Sequence, residues 1–134
     1  MSISRREARV KIMTCLYQIS LYKKEKLNYD INDVLNSNEV SDEEFVCSSV
    51  NGVIEHEDKL CEVANRYLNK WTIDRLGYTD QAILKLGIYE IMYTDTDAQV
   101  VINEAIELAK QYSDEAVVKM INGVLDKVFH EKNK

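Results

Sequence analysis

The sequence predicts an all-helical fold, and two observations support this class. The chain of 134 residues has no proline and four glycines, whereas average usage would give about seven prolines and about nine glycines. Apolar residues recur at helical spacing along most of the chain, and no segment shows sustained alternation with a period of two. Because 46% of the residues are hydrophobic and 30% are charged, such helices can bury a core. The length fits one domain, or two small ones that share a core.

The first helix is predicted to begin at Ser4. Ser4-Arg5-Arg6-Glu7 has the pattern of a capping box, in which the serine hydroxyl and the glutamate carboxylate each accept a hydrogen bond from a free backbone N–H. An apolar stripe at helical spacing then extends to about Leu21 and contains Ala8, Ile12, Cys15, Leu16 and Ile19. A second apolar strip, Val10, Met13 and Tyr17, places this helix either at the centre of a bundle or against a partner as well as its own core.

The middle of the chain is predicted to hold three further helices. Residues 23–40 are polar, with a short helical piece around Ile31, Val34 and Leu35. Ser41-Asp42-Glu43-Glu44 is a second capping-box pattern and is expected to open a helix that extends to Ile54. Gly52 lies inside that helix, where close packing against a neighbour would account for it. Another helix is expected near 57–69.

After a connector over residues 71–77, the chain is predicted to form three more helices. Thr79 or Asp80 is expected to cap a helix that is apolar nearly all round and therefore central. Asp97 is expected to open the next helix, and Ser113 with Asp114 the last. Segments 50–55 and 121–126 resemble each other, either by chance or because two similar halves each use a glycine for close helix approach.

Charge is distributed unevenly along the chain. Residues 1–26 carry seven basic and two acidic side chains, a balance of +5, and the remainder carries −11, which gives the net charge of −6. Arg5, Arg6 and Arg9 fall within an arc of about 100° at the start of the first helix. Arginine presents a planar fork of donors to phosphate, and helix starts offer free N–H groups to anions. The cluster therefore suits a nucleic-acid backbone, and a solvated charged face explains the charge equally well.

Sequence-selective binding to RNA needs more than cations. Three phosphate contacts to a single strand give a log–log salt slope of only about −2, so the arginines alone would bind weakly. Aromatic platforms for unstacked bases are also required. Tyr17 and Tyr67 are the candidates, and their spacing also fits ordinary aromatic residues of a core.

The sequence contains no pattern typical of an enzyme. It has no nucleophile elbow, phosphate loop or dinucleotide fingerprint. His56 and Cys61 lie about 140° apart around a helix, so they do not share a face that could bind a metal, and we expect neither metal nor cofactor. No run of 18 apolar residues is present, and the charged N-terminus lacks the apolar stretch of a signal peptide. We therefore expect a cytoplasmic protein that does not contact membranes.

Several segments resemble one bacterial family. Val101–Lys110 (VINEAIELAK) and Ile121–Lys127 (INGVLDK) resemble the C-terminal signature of the transcription antitermination factor NusB. The same family pattern is followed, in order, by Arg5–Arg9, Leu16-Tyr17, Ala82–Leu86 and Ile88–Glu90. The resemblance covers nearly the whole chain and is weakest over 23–45. It implies about seven helices in a single domain, residues 1–134, built from two helical-bundle subdomains, 1–70 and 71–134, that share one core.

The resemblance also implies a function without catalysis. Members of the family bind boxA, a single-stranded RNA element of ribosomal RNA leaders, together with NusE, a small-subunit ribosomal protein. The pair then joins other Nus factors in a complex with RNA polymerase. Transferred by motif, the RNA-binding residues are Arg5, Arg6 and Arg9 as backbone contacts, with Tyr17 and Tyr67 on the RNA surface. Asp80 falls where the family meets NusE.

Three positions depart from the family pattern. Glu7 interrupts the arginine run, Ala98 replaces a common proline, and Met120 stands where an aromatic residue often precedes the NGVLD stretch. These departures bear on RNA affinity more than on the fold. Two other functions stay open. The chain could be a purely protein–protein helical module in which the basic N-terminal segment has no binding role, or an accessory domain of an RNA-modifying enzyme. The apolar strips also permit a homodimer that hides the RNA surface.

Overall fold

A computed structural model describes residues 3–133, and within that range the protein has seven α-helices and no strand. The prediction of an all-helical fold is confirmed. The helices are α1 (Arg5–Lys24), α2 (Ile31–Ser37), α3 (Glu44–Glu55), α4 (Glu57–Tyr67), α5 (Tyr78–Tyr93), α6 (Ala98–Tyr112) and α7 (Glu115–Lys132). The connector between α4 and α5 contains a short 3₁₀ turn, Ile73–Arg75.

The helices group into two compact units, one that ends at Glu55 and one that starts at His56. This division comes earlier than residue 70, where the sequence places a boundary, because α4 packs on α5 and α7. In the N-terminal unit, α1 packs on α2 and α3. The predicted apolar stripe of α1 is buried at Ala8, Ile12, Cys15, Leu16 and Ile19, whereas Leu21 at its end is exposed.

The start of α1 is set by local capping chemistry. The Glu7 N–H donates to Ser4 Oγ at 3.1 Å, so Ser4 is the N-cap that the sequence predicts. Such a cap satisfies one of the N–H groups that a helix start leaves without an intrahelical partner. The first basic residues, Arg5 and Arg6, therefore come directly after the capped start of the helix.

The start of α3 is set by a turn, and the predicted capping box at Ser41 is wrong. The helix begins at Glu44. The Glu43 N–H donates to the carbonyl of Val40 at 3.0 Å, and the Val40 side chain is buried. Burial of that side chain holds Ser41 in the turn that precedes the helix. The Glu43 carboxylate accepts a hydrogen bond from the Ile3 N–H at 3.1 Å.

In the C-terminal unit, α5 packs on α4, α6 and α7 and is buried on nearly every side, as its apolar composition predicts. The expected cap at Thr79 or Asp80 is wrong, because the helix begins at Tyr78 after Gly77. Asp80 therefore lies in the first turn of α5. Its Oδ1 accepts a hydrogen bond from Ser113 Oγ at 2.6 Å, which links the start of α5 to the end of α6.

The last two helices begin where the sequence predicts. Asp97 Oδ1 accepts a hydrogen bond from the Gln99 N–H at 2.8 Å, and Asp114 Oδ1 accepts one from the Val117 N–H at 2.9 Å. Both aspartates are N-caps, and their charge also suits the positive end of the helix dipole.

A close helix approach occurs at Gly87, a glycine that the sequence analysis does not single out. A Cβ at Gly123 would meet no atom within 4 Å, so the expectation of close packing there is wrong. A Cβ at Gly87 would lie 2.8 and 3.0 Å from the two methyl carbons of Leu125. Gly87 thus allows α5 and α7 to pack closely, while Gly52, the other glycine of the paired segments, is buried in α3.

Candidate nucleic-acid interface

The three arginines of α1 differ in exposure. Arg5 and Arg6 are exposed, whereas Arg9 is only 4% exposed. The guanidinium carbon of Arg5 lies 3.8 Å from the ring centroid of Phe45, and that of Arg9 lies 5.5 Å from the same centroid. Both distances are within the range of cation–π contacts. The arc predicted from the sequence therefore consists of two exposed cations, Arg5 and Arg6, and one buried cation, Arg9, of which Arg5 and Arg9 lie over the ring of Phe45.

Stacking on Phe45 leaves Arg5 able to bind an anion. A guanidinium that covers a ring uses its face, and its N–H groups radiate from the edge of the plane. Arg5 can therefore hold a phosphate oxygen while it remains stacked. Direct contact with an RNA backbone stays a prediction for Arg5 and Arg6. Arg9 is buried near Phe45, and its contact with RNA also stays a prediction.

The two candidate tyrosines lie in different units and in different environments. Tyr17 is 39% exposed on α1, so it is not an ordinary core aromatic. Tyr67 is partly buried at the C-terminal end of α4. Its hydroxyl donates to Glu131 Oε2 at 2.5 Å.

Glu131 on α7 binds two neighbouring residues of α4. Its other carboxylate oxygen accepts a hydrogen bond from Arg66 Nη1, so Arg66 and Tyr67 share one carboxylate. The hydrogen bond to Glu131 raises the pKa of Tyr67 above its usual value of 10.0, because it favours the protonated phenol. The phenol is therefore neutral at physiological pH, and its hydroxyl links α4 to α7.

Tyr67 lines a groove that the sequence did not reveal. We call it the α7 groove. It has a volume of about 410 Å³, and it lies between residues 67–71 on one side and Ala116, Lys119, Met120, Gly123, Val124 and Lys127 of α7 on the other. Every charged residue of this lining is a lysine: Lys70, Lys119 and Lys127. In a chain with a net charge of −6, such a lining favours a polyanion.

A signal for the α7 groove was present in the sequence. Lys119, Gly123 and Lys127 are spaced by four residues, so they share one face of α7. Trp71, the only tryptophan of the chain, also lines the groove and is 58% exposed. Met120 also lines the groove and gives it an aliphatic side chain.

Asp80, the predicted contact for NusE, is partly exposed at the start of α5. One of its carboxylate oxygens accepts the hydrogen bond from Ser113 described above, and the other lies 3.7 Å from where a Cβ at Gly77 would be. The structure thus fixes the carboxylate by its bond to α6. Binding to a partner at this position stays a prediction.

Within residues 3–133, no group of three or more histidine, cysteine or acidic side chains could hold a metal ion. Cys15, Cys47 and Cys61 form no disulfide, and burial raises the pKa of the Cys15 thiol to about 11. Over the same described range, the helices are too short or too polar to cross a membrane.

Known proteins resemble this chain over nearly its whole length. The model of the NusB family matches residues 6–130. Transcription antitermination protein NusB of Staphylococcus aureus (strain JH9) is 42% identical over 127 residues, which span 94% of this chain and 98% of that protein. The solved structure of T. maritima NusB has a TM-score of 0.85 at 31% identity and covers 98% of this chain and 94% of its own. A complex of antitermination factors NusB and NusE with dsRNA contains the same fold, with a TM-score of 0.80 at 23% identity over 95% of this chain and 96% of the matched one. On the family match and the 42% identity, this chain belongs to the NusB family.

Proposed function

We propose that this protein is a non-enzymatic, cytoplasmic transcription antitermination factor that binds boxA-type single-stranded RNA of ribosomal RNA leaders. It acts together with NusE, in a complex with other Nus factors and RNA polymerase. The observation that carries the proposal is the pair of exposed arginines, Arg5 and Arg6, at the start of α1 in a chain that is otherwise acidic. The S. aureus relative is named for antitermination, and the NusB of similar fold was solved with NusE and RNA.

The RNA backbone is bound at the start of α1. Arg5 and Arg6 are adjacent and exposed, and Arg5 is oriented by Phe45. The N–H groups of the first turn add a positive dipole end next to them. Arg9, which is buried, contributes to the site indirectly, through its contact with Phe45. Tyr17 and Tyr67 supply aromatic surface for bases, and Tyr67 lies beside the lysines of the α7 groove.

NusE is bound through a surface that includes Asp80. The carboxylate is held by Ser113, so it is ordered before a partner arrives. An ordered and partly exposed carboxylate suits a basic partner such as a ribosomal protein. Replacement of Asp80 by asparagine is expected to weaken the heterodimer without an effect on RNA contacts made at α1.

The proposal is tested by the double variant Arg5→Ala/Arg6→Ala, with Lys23→Ala/Lys24→Ala as the matched control. The control removes the same charge from the other end of α1, where the side chains are also exposed. We expect the arginine variant to lose roughly tenfold in affinity for a boxA oligonucleotide. We also expect its log–log salt slope to decrease by about 1.4, that is, by two phosphate contacts to a single strand.

The measurement is fluorescence anisotropy of labelled RNA at several salt concentrations, with and without NusE, and circular dichroism checks that both variants stay folded. Equal losses in the arginine and lysine variants would show that only net charge matters and would contradict the site. A heterodimer whose RNA affinity equals that of NusE alone would favour the purely protein–protein module.

A further inference from the structure

The indole of Trp71 lies outside the core, on a short segment that is fixed at both ends. Before it, Leu68 is buried, and its N–H donates to the Ala64 carbonyl at 3.0 Å. After it, Ile73 is buried, and its N–H donates to Asn65 Oδ1 at 2.7 Å. Trp71 itself is 58% exposed. The segment is thus anchored on both sides of Trp71, and the indole is left accessible to a ligand.

Trp71 also borders two neighbouring concave surfaces. One is the α7 groove. The other has a volume of about 540 Å³ and is lined by Asn65, Leu68, Asn69, Lys70, Trp71, Thr72 and Arg75. Residues 68–71 line both, so Trp71 belongs to the wall that the two surfaces share.

The charges around Trp71 select an anionic ligand. Among the residues that line the two surfaces, the charged ones are Lys70, Arg75, Lys119 and Lys127, and no acidic residue is among them. Three acidic side chains lie next to the linings without being part of them. Asp74 accepts a hydrogen bond from Thr72, and Glu131 accepts one from Tyr67. Glu115 approaches Lys119 at 3.8 Å, where both side chains are highly exposed and the ion pair is weak. A flat aromatic face among cations, on an acidic protein, is the combination that binds unpaired bases and their phosphates.

We propose that Trp71 is a stacking platform for an unpaired base of single-stranded RNA, with the flanking phosphates held by Lys70, Arg75, Lys119 and Lys127. This inference rests on the proposed function and extends it, because it places a base contact on the connector between α4 and α5. Base stacking is tolerant of sequence, so Trp71 contributes affinity, and selectivity comes from other contacts.

The test uses the fact that Trp71 is the only tryptophan. Its fluorescence reports on this one position in the unmodified full chain. A boxA oligonucleotide is titrated into the protein, with tryptophan emission and the anisotropy of labelled RNA measured on the same samples. We expect the emission to be quenched in step with the anisotropy, with the same midpoint.

Substitutions separate stacking from charge. Trp71→Leu should lower RNA affinity roughly five- to 150-fold, because a stacked base is lost, with an unchanged salt slope. Trp71→Phe should retain most of the affinity. The matched control is Tyr112→Leu, which removes another exposed aromatic residue of the same unit and should leave RNA affinity unchanged.

RNA binding by anisotropy with unaltered tryptophan emission, and with wild-type affinity in Trp71→Leu, would overturn this inference and leave the proposed function standing. Quenching by NusE without RNA would also overturn it, since Trp71 would then face the protein partner. If the wild-type protein binds no boxA RNA even with NusE, both proposals fail. Circular dichroism and chemical denaturation confirm that Trp71→Leu is folded.

Discussion

The Tyr67 side chain is hydrogen-bonded to a residue that lies far away in the sequence. Its ring lines the α7 groove, and its hydroxyl is bound to Glu131, which lies 64 positions further along the chain. The same carboxylate binds Arg66, so one residue of α7 orients two residues of α4. The sequence predicted Tyr67 as a site residue, but it held no sign of the partner that positions it.

We predict that Glu131→Gln lowers the pKa of Tyr67. The carboxylate raises that pKa by accepting the phenol hydrogen and by its negative charge, while Arg66 lowers it. With a neutral amide, the raising effects weaken and the effect of Arg66 remains, so the phenol should ionise at lower pH than in the wild type. Observation of the tyrosine ring carbons by NMR during a pH titration measures this shift, with Tyr67→Phe to assign the signal. An unchanged titration would show that Glu131 does not hold the hydroxyl in solution.

At the scale of elements, the contact between α5 and α7 shows how the surroundings of a helical glycine determine the effect of replacing it. Gly87 and Gly123 are both helical glycines, but only Gly87 faces a neighbour at short distance. Alanine in place of a glycine in a helix gains up to about 1 kcal/mol from helix propensity. At Gly87 that gain is opposed by the displacement of Leu125, which is fully buried and has little room to move.

We therefore predict that Gly123→Ala raises the free energy of unfolding by roughly 0.5 to 1 kcal/mol and that Gly87→Ala gives a smaller gain or a loss. Urea denaturation of both variants beside the wild type measures the difference. In Gly87→Ala/Leu125→Ala the two changes should be non-additive, since they concern the same contact. If both single variants gain equally, the close approach of the two helices is not a constraint.

The starts of the helices show which local features the sequence could predict. Ser4, Asp97 and Asp114 cap their helices because an N-cap bond joins residues only two or three positions apart. Ser41 and Asp80 carry similar oxygen acceptors but are not caps, because Ser41 lies in the turn before α3 and α5 already begins at Tyr78.

For the molecule as a whole, the sequence predicts only part of the geometry of the candidate site, because the rest depends on contacts between elements. The excess of basic residues at the N-terminus is a property of composition, and it led to Arg5 and Arg6. Burial of Arg9 beside Phe45 depends on the packing of α1 on α3, which no spacing rule reveals. The α7 groove likewise forms only when the connector at residues 68–71 lies beside α7.

The overall charge limits binding of nucleic acid outside the basic surfaces. With a net charge of −6, most of the protein repels a polyanion. We predict that unrelated duplex DNA binds with a Kd weaker than about 10⁻⁴ M at physiological salt, at or beyond the weak end of ordinary non-specific binding. Anisotropy of labelled duplex DNA measures this, with the boxA oligonucleotide as positive control. Micromolar binding to the duplex would show that the acidic surface does not restrict the ligand.

Contact between Arg5 and Phe45 has a consequence for the entropy of binding. A free arginine side chain samples many rotamers, and ordering it costs roughly 1.5–2 kcal/mol. Here the ring 3.8 Å away restricts the guanidinium as soon as the helices pack. Part of the conformational entropy of the Arg5 side chain is therefore lost during folding. A phosphate then binds a preorganised guanidinium, and the entropic cost of binding is smaller.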